Sequence, residues 1–250
     1  FYNTHTHAAM TVLRGYADDM ALNKWLTEHI WPFEGRMTAE DMYLGTRLAI
    51  LEMIKSGTVF FNDMYFNIDV TEQAVRELGI RASIGATIIG GHPLSIGEER
   101  YNIVRNWENP TGRIMLTPAP HAIYTVSEDL LRSSYALSQE TNTRWHIHLS
   151  ETASEVQDCI KAHGTTPVRY LEKLGVLGPN VIAAHVVHVD DEEISILKEY
   201  GVTIAHNPCS NMKLSSGILP YKQMIDAGLN ITIGTDGCSS NNNLDMREEM

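Results

Sequence analysis

Short apolar runs alternate with amphipathic stretches along all 250 residues of the chain. The apolar runs are rich in Val and Ile, which is typical of parallel strands buried on both faces. Eight strands are predicted, at residues 1–7, 58–65, 81–89, 114–118, 144–149, 181–185, 202–206 and 230–234. Helices are predicted between them, near residues 21–30, 39–55, 70–78, 98–107, 127–141, 153–163, 167–174, 191–200 and 221–227.

This regular β-α alternation is compatible with an open doubly wound sheet or with a closed barrel. Eight units in about 235 residues favour the barrel. We therefore predict an α/β fold, a (β/α)8 TIM-like barrel that forms a single domain over residues 1–250. The eighth helix would start near Leu244, so most of it is missing. Because the chain also starts at Phe1, we expect it to be a piece of a longer protein.

Composition excludes several classes of protein. A hydrophobic fraction of 43% with 20% charged residues is ordinary for a globular chain and excludes a disordered, collagen-like or coiled-coil protein. The net charge of −12 argues against nucleic acid as a partner. No run of 18 apolar residues occurs, so we expect no membrane association. Three widely spaced cysteines indicate a reducing compartment, the cytoplasm.

Histidine is the unusual residue, with 11 in the chain. Eight of them lie at or just beyond the ends of predicted strands: His5, His7, His121, His146, His148, His185, His188 and His206. The carboxyl ends of the strands meet at one face of such a barrel, where catalytic groups gather. A metal site with a polar pocket above it is the simplest explanation.

Four of the residues at strand ends form the candidate metal site. His5 and His7 lie two residues apart on one strand, so both point to the same face and can bind one ion. A histidine on strand five, His148, and a carboxylate after strand eight, Asp236, complete the set. One divalent ion is predicted, with Zn²⁺ favoured and Mn²⁺, Fe²⁺ or Ni²⁺ as alternatives.

Two further residues near the metal site are candidates for proton transfer. Glu151 follows His148 by three residues and can carry protons between water and a substrate nitrogen, although a charge at a helix N-terminus is the simpler alternative. His185 is either a further ligand or a hydrogen-bonding partner of the attacking water, and we favour the second role. Asp236 can accept the proton of that water. His146 is interpreted as a structural residue.

At these residues the sequence resembles the amidohydrolase superfamily, and within it the branch of 5′-methylthioadenosine/S-adenosylhomocysteine deaminases and their relatives. The resemblance rests on stretches in the family order that span nearly the whole chain: Asn3-Thr4-His5-Thr6-His7, Trp31-Pro32-Phe33-Glu34, Pro120-His121, His148-Leu149-Ser150-Glu151, Ala184-His185, His206-Asn207-Pro208 and Gly234-Thr235-Asp236-Gly237. It implies a distorted barrel of the metal-dependent hydrolase type, whose family members add a flanking β-sandwich that this chain lacks.

The resemblance also implies residue roles and a reaction. Zn²⁺ would be held by the four candidate ligands, with Glu151 as the general acid/base and His185 assisting the water. Glu34 and His121 match substrate-binding positions that contact the ribose. The implied reaction is hydrolytic deamination of an adenine nucleoside, a small-molecule substrate, to the inosine product and ammonia.

Four nucleosides are candidate substrates: 5′-methylthioadenosine, 5′-deoxyadenosine, adenosine and S-adenosylhomocysteine. Relatives that accept S-adenosylhomocysteine carry arginines after strand three, and Gly85-Ala86-Thr87 has none here, which favours the other three. The alternatives are guanine- or pterin-type deamination, dechlorination of a triazine, or an inactive truncated barrel. Homo-oligomerisation stays open.

Overall fold

The computed structural model describes residues 1–17, 20–92, 94–109 and 111–250. Within these residues the strands are β1 (Tyr2–Thr6), β2 (Phe60–Asp63), β3 (Arg81–Ile88), β4 (Ile114–Pro120), β5 (Trp145–Leu149), β6 (Val181–His185), β7 (Thr203–His206) and β8 (Asn230–Ile233). They pair in parallel as two four-stranded sheets, ordered β1-β2-β3-β4 and β5-β6-β7-β8. The eight predicted strands are confirmed, with most boundaries shifted by one or two residues.

The two half-barrels join through irregular contacts rather than continuous ladders. Between β4 and β5 the junction is a bridge from Ala122 to His148. Between β8 and β1 the Thr4 hydroxyl lies 2.8 Å from that of Thr232 and donates to the Ile233 carbonyl oxygen at 2.9 Å. The amide of Asp236 also donates to the His5 carbonyl oxygen at 3.0 Å. A barrel whose two sheets are joined by such isolated contacts is distorted, as the sequence resemblance implied.

The α-helices surround these strands or cap their carboxyl ends. They are α1 (Leu22–Lys24), α2 (Trp31–Glu34), α3 (Ala39–Lys55), α4 (Ile68–Leu78), α5 (Asn102–Arg105), α6 (Glu128–Glu140), α7 (Ala153–His163), α8 (Pro167–Leu174), α9 (Asp191–Glu199), α10 (Pro208–Lys213), α11 (Tyr221–Asp226), α12 (Cys238–Asn241) and α13 (Met246–Glu249). Short 3₁₀ helices span Ala8–Leu13 and Glu98–Arg100, and a π-helix spans Trp25–Ile30. None of the helices in the described residues has the length and hydropathy needed to cross a bilayer.

Local sequence explains where the main helices begin and end. Thr38 and Asp41 form the predicted capping box at the start of α3. At its other end Gly57 adopts φ +92°, a conformation open to glycine at little cost. The helices α10 and α12 are not predicted from the sequence. Because α10 begins at Pro208, the pattern Asn207-Pro208 is easily taken for a turn, yet proline is favoured at a first helical position.

The hydrophobic core has two parts. The larger part lies between the sheets and the surrounding helices and includes Phe61 and Trp145, both fully buried. A smaller cluster packs the segment after β1 against the rim of the barrel and includes Leu13, Trp25 and Ile30. This second cluster holds the 22–34 segment over the carboxyl ends of the strands, where the candidate site lies.

Candidate active site

The strand ends bring the predicted ligands together. His5 lies in β1 and His7 directly follows it, and their ring centroids are 4.9 Å apart. The His5 ring also lies 4.8 Å from that of His148 and 5.5 Å from that of His185. The carboxylate of Asp236 completes the cluster, with Oδ1 3.1 Å from Nε2 of His7.

Two of these rings are oriented by backbone carbonyl groups. Nδ1 of His7 donates to the Met64 carbonyl oxygen at 2.6 Å, and Nδ1 of His148 donates to the His121 carbonyl oxygen at 2.7 Å. A ring that donates from Nδ1 presents the lone pair of Nε2, the arrangement typical of histidine metal ligands. The two Nε2 atoms lie 3.3 Å apart.

His5 and Asp236 are fixed in a similar way. Nδ1 of His5 lies 2.9 Å from Nε2 of His146, so the other nitrogen of His5 faces Asp236 at 3.3 Å. That Nε2 atom is buried and makes no hydrogen bond. Oδ2 of Asp236 accepts hydrogen bonds from Ser210 at 2.5 Å and Ser240 at 2.9 Å, which leaves Oδ1 toward the rings.

These donors fit a divalent metal ion. The ligand atoms of His5, His7 and His148 lie within 4.8 Å of one another, as do those of His5, His185 and Asp236. Imidazole nitrogens with one carboxylate oxygen are a donor set that Zn²⁺ accepts. Burial lowers the pKa of His5 to about 4, so its ring is neutral near pH 7, as a metal ligand must be.

Glu151 and His185 lie side by side at the edge of the cluster. Oε2 of Glu151 is 3.7 Å from Nε2 of His185, and Oε1 accepts a hydrogen bond from Ser216 at 3.1 Å. Burial raises the pKa of Glu151, which favours a carboxyl group that can carry a proton. Nδ1 of His185 donates to Oδ1 of Asn211 at 2.8 Å, so Nε2 presents a lone pair toward Glu151.

Left-handed backbone conformations mark the strand ends that carry these side chains. Ser150, His185 and Asp236 have φ values of +50°, +71° and +59°. Such conformations are uncommon outside glycine and concentrate at functional sites. Gly234 makes the close approach of β8 to β1 possible, because a Cβ atom there would lie 2.7 Å from the His5 carbonyl oxygen.

A small inner cavity of 50 Å³ lies against the cluster. Its lining includes seven of the eight predicted site residues: His7, Glu34, His121, His148, Glu151, His185 and Asp236. The eighth, His5, is fully buried behind them. Burial raises the pKa of Glu34 to about 7 and lowers that of His121 to about 3. The aromatic side chains of Trp25, Trp31 and Tyr65 also line this inner cavity.

A much larger outer cavity of 1380 Å³ opens above the inner one. Six mostly apolar residues line both cavities and form the partition between them: Leu22, Leu26, Trp31, Ile89, Tyr124 and Leu214. A volume of 50 Å³ holds only a few water molecules. These six residues therefore limit access from the outer cavity to the inner one.

Comparison with known proteins identifies the family and the fold. A sequence profile of the amidohydrolase family matches residues 1–250. The chain belongs to the amidohydrolase family. A 5-methylthioadenosine/S-adenosylhomocysteine deaminase of Syntrophomonas wolfei is 50% identical over 254 residues, which cover 100% of this chain and 59% of that protein. A 5′-deoxyadenosine deaminase of Methanopyrus kandleri is 48% identical over 257 residues, with 99% and 58% covered.

Among solved structures, an adenosine deaminase of Xanthomonas campestris with bound zinc superposes with a TM-score of 0.94. It is 38% identical, and the match covers 99% of this chain and 58% of that one. The chain thus spans less than two thirds of the relatives that it matches. The amidohydrolase family and the truncated barrel expected from the sequence are both confirmed.

Sequence reasoning missed several polar residues that orient the site of this amidohydrolase. Asn211 and Ser216, which contact His185 and Glu151, lie in and after the unpredicted helix α10. Glu155 accepts hydrogen bonds from two backbone amides beside Glu151. Glu155 could have been indicated by its third position in a predicted helix. Asn211 lies in a stretch, Ser210-Asn211-Met212-Lys213-Leu214, that also carries the family resemblance, although no role was predicted for it. Nothing in the sequence places Ser216 near the site.

Proposed function

We propose that this amidohydrolase hydrolytically deaminates an adenine nucleoside to the corresponding inosine compound and ammonia. The observation that carries the proposal is the pairing of Glu151 with His185, 3.7 Å apart, at the edge of a buried cluster of imidazoles and a carboxylate. Replacement of a ring amino group needs a proton donor for the ring beside an activated water molecule. The site offers both functions within one small cavity.

His5, His7, His148 and Asp236 would hold one divalent ion, and we propose Zn²⁺. When bound, such an ion acts as a Lewis acid that makes a water molecule nucleophilic near neutral pH. The hydrogen bonds from His7 and His148 to backbone carbonyl oxygens support these roles, because they fix the ligand nitrogens before an ion arrives.

The proton transfers can then be assigned to residues of the chain. Glu151 donates a proton to a ring nitrogen of adenine as the water oxygen bonds to C6. Asp236 takes the proton of the attacking water, and the lone pair at Nε2 of His185 accepts a hydrogen bond from that water. Asp236 then passes this proton to the amino group, the C6–N bond breaks with its electron pair on nitrogen, and ammonia leaves. The new C6 hydroxyl group returns a proton to Glu151 as it becomes the carbonyl group of the inosine product. Water supplies the new oxygen, so no oxidant or reductant is needed.

Substrate binding is assigned to the rest of the two cavities. Glu34 and His121 line the inner cavity and are proposed to bind the ribose hydroxyl groups. The 5′ substituent would then extend into the outer cavity. None of the described residues that line this outer cavity is an arginine, and the ammonium of Lys213 donates to Ser239 and Asn242. This lining supports a neutral 5′ substituent, as in 5′-methylthioadenosine, 5′-deoxyadenosine or adenosine, over S-adenosylhomocysteine.

The names of the relatives support the same class of reaction, since they are deaminases of adenine nucleosides. Guanine- or pterin-type deamination and triazine dechlorination remain the competing reactions, because Glu151 favours proton transfer to a ring without choosing the ring. A truncated barrel without activity is the remaining alternative. We also propose a cytoplasmic protein whose partner is its small-molecule substrate.

A screen for ammonia release tests the proposal. The zinc-loaded protein is incubated with adenosine, 5′-methylthioadenosine, 5′-deoxyadenosine, S-adenosylhomocysteine, guanine, a pterin and a chlorinated triazine. We expect ammonia from the adenine nucleosides, with a matching shift of the ultraviolet spectrum to that of an inosine compound. Chloride release from the triazine without ammonia from any nucleoside would overturn the proposed function.

A further inference from the structure

Glu155 makes an unusual pair of contacts beside the candidate site. Its Oε1 accepts a hydrogen bond from the backbone amide of Ser150, and its Oε2 accepts one from the amide of Glu151, both at 2.8 Å. The side chain is 6% exposed. Both oxygens of one buried carboxylate are thus committed to the two residues that follow β5.

The position of Glu155 in its helix makes these contacts informative. Glu155 is the third residue of α7, and its amide donates to the hydroxyl of the cap residue Thr152 at 3.2 Å. In a capping box the carboxylate at this position returns to the amide of the cap residue. Asp41 and Glu193 do so in α3 and α9. Glu155 instead reaches past the cap residue to the two preceding amides. Its carboxylate therefore stabilises the end of β5 rather than the start of its own helix.

The strand end that it holds is strained. Ser150 is fully buried and has φ +50°, a left-handed conformation that is unfavourable for a residue other than glycine. This conformation turns the chain sharply between His148 and Glu151. Without a restraint the corner would relax, and the direction of the Glu151 side chain would change with it.

We propose that Glu155 is a positioning residue that fixes the Ser150–Glu151 corner and thereby aims the Glu151 carboxyl group at the reacting ring. The role assigned to Glu151 rests on the proposed function, whereas the restraint on the corner does not. Ser216 fixes the far end of the same side chain through its hydrogen bond to Oε1 of Glu151. Glu151 is thus held at its backbone by one residue and at its carboxylate by another.

Burial makes the charged form of the Glu155 carboxylate less stable. Desolvation raises the pKa of Glu155 to about 7, and the two amide hydrogen bonds offset only part of that effect. A glutamine would keep the size and could still accept one amide, but its NH₂ group would face the other donor. Glu155→Gln therefore removes one restraint and keeps the size of the side chain.

Glu193→Gln is the matched control. Glu193 occupies the same third helical position in α9, is 2% exposed and closes a capping box, and its Oε1 lies 3.6 Å from Nη1 of Arg169 rather than against a residue of the candidate site. Its loss should lower Tm in the same way as loss of Glu155. Only a positioning role predicts that the two variants differ in turnover and in the protection of the Ser150 and Glu151 amides from hydrogen exchange.

The experiment combines amide hydrogen exchange with steady-state kinetics on the zinc-loaded protein. In Glu155→Gln we expect the amides of Ser150 and Glu151 to exchange at least tenfold faster. We expect kcat to fall about 10- to 100-fold, the range for a misplaced catalytic group. KM within threefold of wild type and one zinc per chain would separate positioning from loss of binding. Glu193→Gln should keep both the protection and kcat.

Unchanged protection and kcat in Glu155→Gln would overturn the proposal, as would an equal loss of kcat in Glu193→Gln. If Glu155→Gln does not fold, the same measurements on Glu155→Asp test the positioning role. The shorter side chain of aspartate keeps the charge but cannot reach both amides. Wild-type protein without deaminase activity would overturn only the proposed function. The exchange comparison would still decide whether Glu155 restrains the corner.

Discussion

The Nε2 atoms of His7 and His148 face each other across 3.3 Å, while Nδ1 of each ring donates to a backbone carbonyl oxygen. Two ring lone pairs at this distance repel each other unless positive charge lies between or beside them. Burial acts to lower the pKa of His7, but the hydrogen bond and charge of Asp236 outweigh it and help to raise that pKa to about 9. Without a metal ion, a proton on Nε2 of His7 therefore supplies this positive charge, and a bound metal ion would replace that proton. The cluster therefore attracts a cation because of the way its rings are oriented. The number of histidines alone would not establish this attraction.

The first prediction concerns metal removal. Zinc at about 100 times its Kd adds about 2.7 kcal/mol to the free energy of unfolding. In a protein of this size, 1 kcal/mol shifts Tm by about 2–4 °C. A chelator should therefore lower Tm by about 5–10 °C, measured by scanning calorimetry, and one equivalent of Zn²⁺ should restore it.

Two histidine variants make this prediction specific. His7→Ala should lose the response of Tm to zinc, because one ligand is removed. His163 is exposed at the end of α7 and serves as the control, so His163→Ala should respond as wild type does. Equal responses in both variants would remove His7 from the metal site.

The second prediction concerns Glu151. Glu151→Gln preserves the shape of the side chain but cannot donate or accept the transferred proton. Turnover should fall about 10²- to 10⁴-fold, as for loss of a general acid/base, while zinc content stays at one ion per chain. Initial rates of ammonia release and metal analysis of the same preparation measure the two quantities. Full activity would exclude Glu151 from proton transfer, and Glu193→Gln controls for loss of a buried carboxylate elsewhere.

The third prediction concerns the 5′ substituent. S-adenosylhomocysteine would place an ammonium and a carboxylate group in an outer cavity whose described lining contains no arginine. Asp158 in this lining can pair with the ammonium group, but the described lining offers no arginine to the carboxylate group. A carboxylate that loses water without gaining a partner weakens binding. We expect kcat/KM for 5′-methylthioadenosine or 5′-deoxyadenosine to exceed that for S-adenosylhomocysteine at least tenfold, about 1.4 kcal/mol. Equal values for the three substrates would contradict this reading of the cavity.

Particular residues show how far the sequence predicts this structure. The sequence predicts a strand over residues 1–7, in which His5 and His7, two positions apart, point to the same face. His148 and Asp236 come directly at or after strand ends, and parallel strands bring their carboxyl ends to one edge. The ligand cluster was therefore predictable as soon as the strands were recognised.

The parts that the sequence does not predict depend on loops. Ser216 reaches Glu151 across 65 positions of sequence, and Asn211 lies in a helix that begins where the sequence suggests a turn. The partition between the two cavities depends on how the 22–34 segment packs on the barrel, which is decided by tertiary contacts of Trp25 and Leu26. Helical periodicity predicts a helix there but not which face covers the site.

The last prediction concerns the three thiols. Burial raises the pKa of Cys159 to about 11 and the pKa values of Cys209 and Cys238 to about 12. Since the thiolate is the reactive form, at pH 8 each native thiol should react with iodoacetamide at least about 100-fold more slowly than in the unfolded chain, where the pKa returns to about 8.5. Mass spectrometry of each cysteine peptide before and after unfolding in guanidinium measures this ratio, and the native rate should rise with pH above 8. A native cysteine that labels as fast as the unfolded chain would show that its thiol is neither buried nor shifted in pKa.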